Sequence, residues 1–421
     1  MHTHTLILGA GLAGLSTAYH LEQAGQKDYM LLEQSNKPGG LACSTQRNGF
    51  TFDMSGHLLH LHTPYGKKLI TRLLGRNLHR VARNAWIYTH ASRVPFPFQA
   101  NLFALPPAQQ KACLAGLARA SARRYKTKPA HFEAWCLRCF GKGIYEQFLR
   151  PYNTKLWGRS PKELTTEWCG PFVPLPTRAQ IQRSAQHALG KKLGYNAHFY
   201  YPLKGGSGAL VTALAKHVKV QLNTRVTGID LKNKIVYAGR KTFTFDKLIN
   251  TLALPVFLNL LQHETRLTAQ ADKLRAAGVT VYQVALQGKR TPFSWIYCPD
   301  PQDPFYRVGM YNSFAPSNAP KGCYGLYVEL PGLQKVSEQK ILQTLRKKQI
   351  IGPSDKKLFS FRQQIPFAYA VYDKKRTKTV QAVLTKLQQK GCLCIGRYGR
   401  WEYSFMEKAL LQGKEAAQKL L

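Results

Sequence analysis

Residues 5–14 read Thr-Leu-Ile-Leu-Gly-Ala-Gly-Leu-Ala-Gly: a short apolar run that empties into a glycine-rich turn. Leu15 to Ala24 then carry apolar residues at helical spacing. In that setting each glycine has a separate task. Gly9 makes the tight turn, Gly11 lets a pyrophosphate approach the backbone, and Gly14 lets the helix pack on the strand. The helix start offers unpaired N–H groups and the positive end of its dipole to phosphates. A second apolar run, Tyr29 to Leu32, closes on Glu33, 19 residues beyond Gly14. That is the spacing of a carboxylate that accepts ribose hydroxyls. Strand, turn, helix, strand and acid together predict a Rossmann-type α/β unit that binds a dinucleotide. A glycine turn without a ligand would leave Glu33 as an unexplained acid ending an apolar strand.

Outside this unit, composition sets limits. A chain of 421 residues exceeds one ordinary core, so two or three lobes are expected. With 44% apolar and 11% aromatic residues, whole-chain disorder is excluded. Lys and Arg number 61 against 21 Asp and Glu, a net charge of +40. Such a field admits nucleic acid, an anionic membrane surface or a phosphate-bearing ligand, and says nothing of fold. No stretch nears the ~18–20 apolar residues of a membrane span; the longest, Thr251 to Leu261, contains Pro255. The start, MHTHTLILGAG, lacks a basic n-region and a cleavage site, so a cytoplasmic location is expected. The nine cysteines include the pairs Cys136/Cys139 and Cys392/Cys394, neither with a partner pair at zinc spacing. They read as reduced core thiols, and no metal is expected. The basic clusters Arg119 to Lys128, Arg346 to Lys348 and Lys374 to Lys378 read as solvated faces. The first could form a stripe suited to loose contact with an anionic membrane. No nucleic-acid module accompanies it, and no specific nucleic-acid partner is expected.

Further motifs decide between cofactors. Lys37-Pro38-Gly39-Gly40-Leu41-Ala42, followed by Phe52-Asp53, resembles the second signature of the FAD-dependent amine oxidase superfamily. There a glycine pair lets the backbone pass the flavin diphosphate. Leu222 to Asp230 resembles that superfamily's strand at the adenine, Asp246 to Pro255 its returning strand, and Ile395 to Gly399 its closing FAD motif. More specific are FDMSGHLLHLH (52–62), VPFPFQANL (94–102), FEAWCLRCFGKGIYEQFLRPYNTKLW (132–157), YPLKGGSGAL (201–210), DPFYRVGMYN (303–312) and GRYGRWEYSFMEKALLQG (396–413). Together they resemble UDP-galactopyranose mutases, above all the eukaryotic-type branch, and the neighbouring protoporphyrinogen-oxidase-like proteins. The resemblance spans essentially the whole chain.

It implies a fold and a chemistry. The fold is a Rossmann-type FAD-binding domain of the amine-oxidase kind, discontinuous over 1–95, 200–260 and 380–421. A mainly helical substrate or cap domain occupies 96–199, and a mixed β-sheet substrate domain 261–379. The implied activity interconverts pyranose and furanose forms of a nucleotide-diphosphate sugar, with reduced FAD N5 as the nucleophile and NADPH or NADH as the reductant. On this resemblance Gly9, Gly11, Gly14, Glu33, Gly39, Gly40, Leu41, His57, Val226, Gly396, Arg397, Tyr403 and Met406 hold the cofactor, His57 on a loop against the flavin. Asn196, Arg307, Tyr369 and Tyr403 meet the substrate, with Arg307 clamping the diphosphate and, with His57, counted as catalytic. Two positions depart from the pattern. Phe172 stands where the family has a second diphosphate arginine, with Arg178 nearby in sequence, and Phe405 to Ala409 replace its closing N-x-D-H-S-like run.

Blander readings stand beside these. His57, His60 and His62 could gather around zinc, His60 and His62 being two apart and so on one face of a strand, although the resemblance accounts better for His57. Trp157 and Trp168 could stack a base or fill a core, and Tyr200 and Tyr201 read as strand aromatics. Phe172 keeps open an FAD-dependent oxidoreductase of the amine oxidase or protoporphyrinogen oxidase type, or a flavoprotein without catalysis.

Overall fold

The computed structural model describes residues 1–122, 128–189, 193–194, 196–289 and 291–421. Residues 123–127 of the basic cluster at 119–128 therefore lie outside the described residues. Two sheets organise the chain. In the first, the strands run in the order Tyr29–Leu32, His2–Leu8, Lys241–Asn250, Ile235–Ala238, Gly228–Asp230, and Cys392–Cys394 also pairs with Lys241–Asn250. His2–Leu8 is parallel to both neighbours, with Leu6 opposite Met30 on one side and Leu248 on the other. A central parallel strand is covered on both faces, which is why Leu6, Ile7 and Leu8 form an unbroken apolar run and are all buried. Helix Leu12–Gln23 covers one face and packs on the C-terminal helix Met406–Gln418. A Cβ at Gly413 would lie 2.6 Å from Ser16 Cβ, so only glycine allows this approach.

The second sheet has seven strands in the order Lys356–Ala370, Ala276–Gln287, Cys323–Pro331, Arg307–Met310, Trp295–Tyr297, Ala85–Thr89, Ser92–Pro95. Residues 85–95, which the sequence reading groups with the N-terminal segment, pair here, Ala85–Thr89 lying parallel to Trp295–Tyr297. The run AWIYT alternates buried and half-buried positions, a pattern that gives its two faces but not which sheet it joins. Between the sheets in sequence lie the helices Pro107–Ala122, Phe132–Ile144 and Arg150–Trp157. The first two touch through glycines: a Cβ at Gly116 would fall 2.6 Å from Gly143 N. Gly141 takes φ +76°, breaking the second helix where it meets the first. Trp157 and Trp168 are 1% and 5% exposed and stand in this core, which decides for packing over base stacking.

The strand expected over 222–230 shortens to Gly228–Asp230. Asn223 adopts φ +52°, which turns the chain out of the sheet, and Thr224 N–H then donates to Glu33 O at 2.8 Å. The C-terminal segment forms strand Cys392–Cys394 and helix Met406–Gln418, and all nine cysteines are free.

Candidate functional site

One cavity of about 580 Å³ runs from the glycine turn to the second sheet. At its first end the backbone forms the walls. Gly9 takes φ +95°, and a Cβ there would strike Thr251 Oγ1 at 2.6 Å. Thr251 in turn donates to the Leu8 and Gly9 carbonyls at 2.7 and 3.1 Å, which fixes the turn. A Cβ at Gly14 would fall 2.0 Å from the Gly9 carbonyl oxygen, so helix and turn meet there backbone to backbone. Gly11 is different: a Cβ there meets nothing within 4 Å. It caps helix Leu12–Gln23 with no side-chain hydrogen bond, so the first N–H groups of the helix face the cavity. Gly39 N–H donates to Ala10 O at 2.8 Å, laying the Gly39-Gly40 turn against Gly11.

Glu33 reaches the same place. Its Oε2 accepts from Ala10 N–H and its Oε1 from Ser35 N–H, both at 2.9 Å. Leu41, Val226, Gly396, Arg397 and Met406 join this wall. An open glycine cradle, a helix start without a cap and an acid behind them suit the diphosphate and ribose of a dinucleotide such as FAD. The residues present fit that group.

The far end is made of side chains. Arg307 makes a two-pronged pair with Glu329, Nε to Oε2 at 2.6 Å and Nη2 to Oε1 at 2.7 Å. Glu329 is 2% exposed, and its Oε1 also accepts from the Ser55 hydroxyl. Tyr369 and Tyr403 stand 5.4 Å apart, and the Arg397 guanidinium lies over both rings. Arg397 also donates to Ala368 O at 2.6 Å and Ser404 O at 3.1 Å, which places it between the two ends of the cavity. Burial pushes both phenols above the usual range, so they stay protonated donors at neutral pH. Asn196 lines the wall with its side-chain oxygen held by Arg83. Phe172 stacks on Tyr403 with ring centres 3.9 Å apart and touches Phe405 at 4.9 Å. Arg178 donates to Arg138 O, and neither lines the cavity, so it does not replace the cation absent at 172.

His57 lies at the join of the two ends. Burial, and then the charge of Arg397, lower its pKa to about 4, so it is neutral at pH 7. His60 is lowered to about 4 as well, by burial and then His62. Residues 54–62 are not a strand, and the His60 and His62 rings pack on Phe405 at 5.6 and 5.3 Å. Among the described residues no group of three or more His, Cys, Asp or Glu is placed to hold a metal.

All of the expected cofactor and substrate residues except Gly14 line the one cavity, and Gly14 lies directly behind its wall. Ser55, Glu329, Trp295, Tyr297 and Tyr327 also line it, and no sequence motif points to them. Glu329 had a usable signal: it is an acid inside the apolar strand CYGLYVELP, as Glu33 is at the end of its own. The charged lining residues are Arg225, Arg307 and Arg397 against Glu33 and Glu329. The large basic excess is therefore not gathered at the site.

A family model described as flavin containing amine oxidoreductase matches residues 12–421. Among solved structures, a reduced UDP-galactopyranose mutase is 27% identical, with a TM-score of 0.93 over 99% of this chain and 93% of that one. Cyclohexylamine oxidase from Brevibacterium oxydans IH-35A shares the fold, at 12% identity and a TM-score of 0.70 over 99% and 98% of the two chains. Phytoene desaturase (lycopene-forming) from Pantoea ananas is 49% identical over 49 residues, 12% of this chain and 10% of that protein. The chain thus spans only about a tenth of that relative's length. Among the described residues no helix is long and apolar enough to cross a membrane.

Proposed function

Since the chain belongs to the flavin containing amine oxidoreductase family, we propose that it is a flavin-dependent mutase that interconverts pyranose and furanose forms of a nucleotide-diphosphate sugar. The observation that carries this reading is the far end of the cavity. Arg307, two protonated phenols and Asn196 converge there, next to the loop that carries His57. An amine substrate gives no reason to assemble a cation and two hydroxyl donors; a diphosphate does.

FAD is the cofactor that the family implies, and in its reduced form it would supply the nucleophile toward the anomeric carbon. The residues of this chain have the remaining tasks. Arg307, held in one orientation by Glu329, presents its Nη1 to the phosphates. Tyr369 and Tyr403 donate hydrogen bonds from their hydroxyls to oxygens whose negative charge grows as the nucleotide leaves. His57, neutral at pH 7, adds no charge beside the reacting carbon. Phe172, Tyr403 and Phe405 form an apolar wall that keeps water from the anomeric centre.

The test is an anaerobic screen of pyranose and furanose nucleotide sugars with dithionite-reduced protein, read by chromatography. Ring interconversion by the reduced protein alone is expected. Equal turnover in both redox states, or none with any nucleotide sugar, overturns the reading. Phe172 supports a second reading, an FAD-dependent oxidoreductase, because it puts a ring where a diphosphate clamp needs charge. Under that reading a substrate reduces the flavin anaerobically or drives oxygen consumption.

Position 172 gives a separate prediction. Phe172→Arg places a guanidinium beside Tyr403, and a charge-assisted bond to phosphate should tighten UDP binding about tenfold. Calorimetry on the flavin-loaded variant reads this directly. An unchanged dissociation constant would show that the phosphates do not pass position 172.

A further inference from the structure

The residues between the two ends of the cavity form one connected piece. Strand Phe50–Asp53 delivers the chain to 53–57, the segment that carries His57. That segment is fastened to the second sheet at successive points. The Asp53 carbonyl accepts from Tyr311 Oη at 2.9 Å and from Gln283 Nε2 at 2.8 Å. The Ser55 carbonyl accepts from His57 N–H at 2.9 Å, closing a tight turn. Gly56 lies flat on Tyr327, where a Cβ would come 2.4 Å from the phenol oxygen. The Ser55 hydroxyl donates to Glu329 Oε1, the oxygen that also accepts from Arg307 Nη2. One carboxylate oxygen thus bridges the flavin-facing loop and the substrate-facing cation. Glu329 is 2% exposed and Ser55 7%, so both groups are largely shielded from bulk water.

We propose that Ser55 is a positioning residue that acts through Glu329. Its hydroxyl sets the orientation of Arg307 and ties that guanidinium to the His57 loop, so that an anion bound at Arg307 is transmitted to the flavin-facing side. With Nε and Nη2 both committed to Glu329, Arg307 cannot turn toward a ligand unless the carboxylate turns with it. The carboxylate cannot turn without stretching its bond from Ser55. Any shift of Ser55 moves the peptide that bonds His57 N–H. A coupling of this kind is a free energy between two sites, and it is measurable from either one.

This inference rests on the reading that a diphosphate binds at Arg307. It is tested on flavin-loaded protein with UDP as the probe, reading both the dissociation constant and the amplitude of the flavin difference spectrum at saturation. Ser55→Ala should weaken UDP binding roughly tenfold, the scale of one lost hydrogen bond to a charged group. It should also cut the saturated spectral amplitude to less than half, at unchanged flavin content. Ser55→Thr, which keeps the hydroxyl, should restore both. An alanine variant with wild-type affinity and amplitude overturns the proposal. So does one that binds weakly but gives the full amplitude, since Ser55 would then act on Arg307 without linking it to the loop. If the wild type ignores UDP but inorganic pyrophosphate shifts its flavin spectrum, the nucleotide reading fails and the same comparison is made with pyrophosphate. A wild type whose flavin responds to neither overturns both.

Discussion

Gly14→Ala and Gly11→Ala should both yield protein poor in flavin, for opposite reasons that a melting curve separates. At position 14 the new methyl would lie 2.0 Å from the Gly9 carbonyl oxygen and 3.2 Å from the Gly9 carbonyl carbon. Backbone on both sides of the contact leaves no flexible group to yield, so helix Leu12–Gln23 must move off its strand. Overpacking of this kind costs about 1–3 kcal/mol, and more where the backbone itself has to shift. The first N–H groups of the helix move with it, and the cradle for the phosphates opens. At position 11 the methyl meets no protein atom within 4 Å. The fold tolerates it, but the methyl stands in the space the diphosphate needs. Gly14→Ala should therefore lower the melting temperature of flavin-free protein by several degrees and abolish flavin binding. Gly11→Ala should leave that temperature within about a degree while flavin absorbance per protein falls at least ~10-fold, since a methyl at this distance displaces the charge-assisted contacts of a phosphate. A Gly11→Ala protein with full flavin would show that the cofactor does not approach this turn.

This contrast also marks what could be read in the sequence. The glycine-turn end is legible because a dinucleotide there would be held by the backbone of consecutive residues. Gly9 to Gly14 and Glu33 place the turn, the helix start and the acid within one unit, and the structure brings Glu33 onto Ala10 N–H. The far end draws on Ser55, Phe172, Asn196, Trp295, Arg307, Glu329, Tyr369 and Tyr403, and no local pattern joins them. Resemblance supplied four of these. Glu329 stands out locally as an acid in an apolar strand, but its partner is set by strand register: Arg307 and Glu329 are directly opposed on antiparallel neighbours, 22 residues apart. Periodicity gives the face of a strand but not its neighbour. The alternating run at 85–89 shows the same limit, since nothing local says which sheet it joins. Charge was legible as a total and silent about place. The chain carries +40 in all, yet its cavity sets three arginines against two glutamates.

The Arg307–Glu329 pair makes the second large prediction, because the two partners fail differently. Arg307→Ala removes the cation expected to meet the phosphates and also strands Glu329. That carboxylate is 2% exposed, and the Ser55 hydroxyl is the one remaining side-chain donor to it among the described residues. Breaking a buried pair by deleting one partner costs about 3–5 kcal/mol, most of it the uncompensated charge left behind. Arg307→Ala should thus lose UDP affinity by at least ~100-fold, as expected for a charge-assisted contact with phosphate, and should also melt well below wild type. Adding Glu329→Gln discharges the stranded group while keeping its shape. The double variant should recover part of the melting temperature, because the uncompensated buried charge is gone while the space of the arginine side chain stays unfilled. It should recover none of the affinity, because the phosphates still lack their cation. Thermal melts and calorimetry on the flavin-loaded single and double variants read the two effects separately. If the double variant regained UDP binding, the loss in Arg307→Ala would come from a distorted fold, and Arg307 would no longer be the group that meets the phosphates. If Arg307→Ala bound UDP as wild type does, the diphosphate would lie elsewhere in the cavity, and the mutase reading would lose the residue it depends on most.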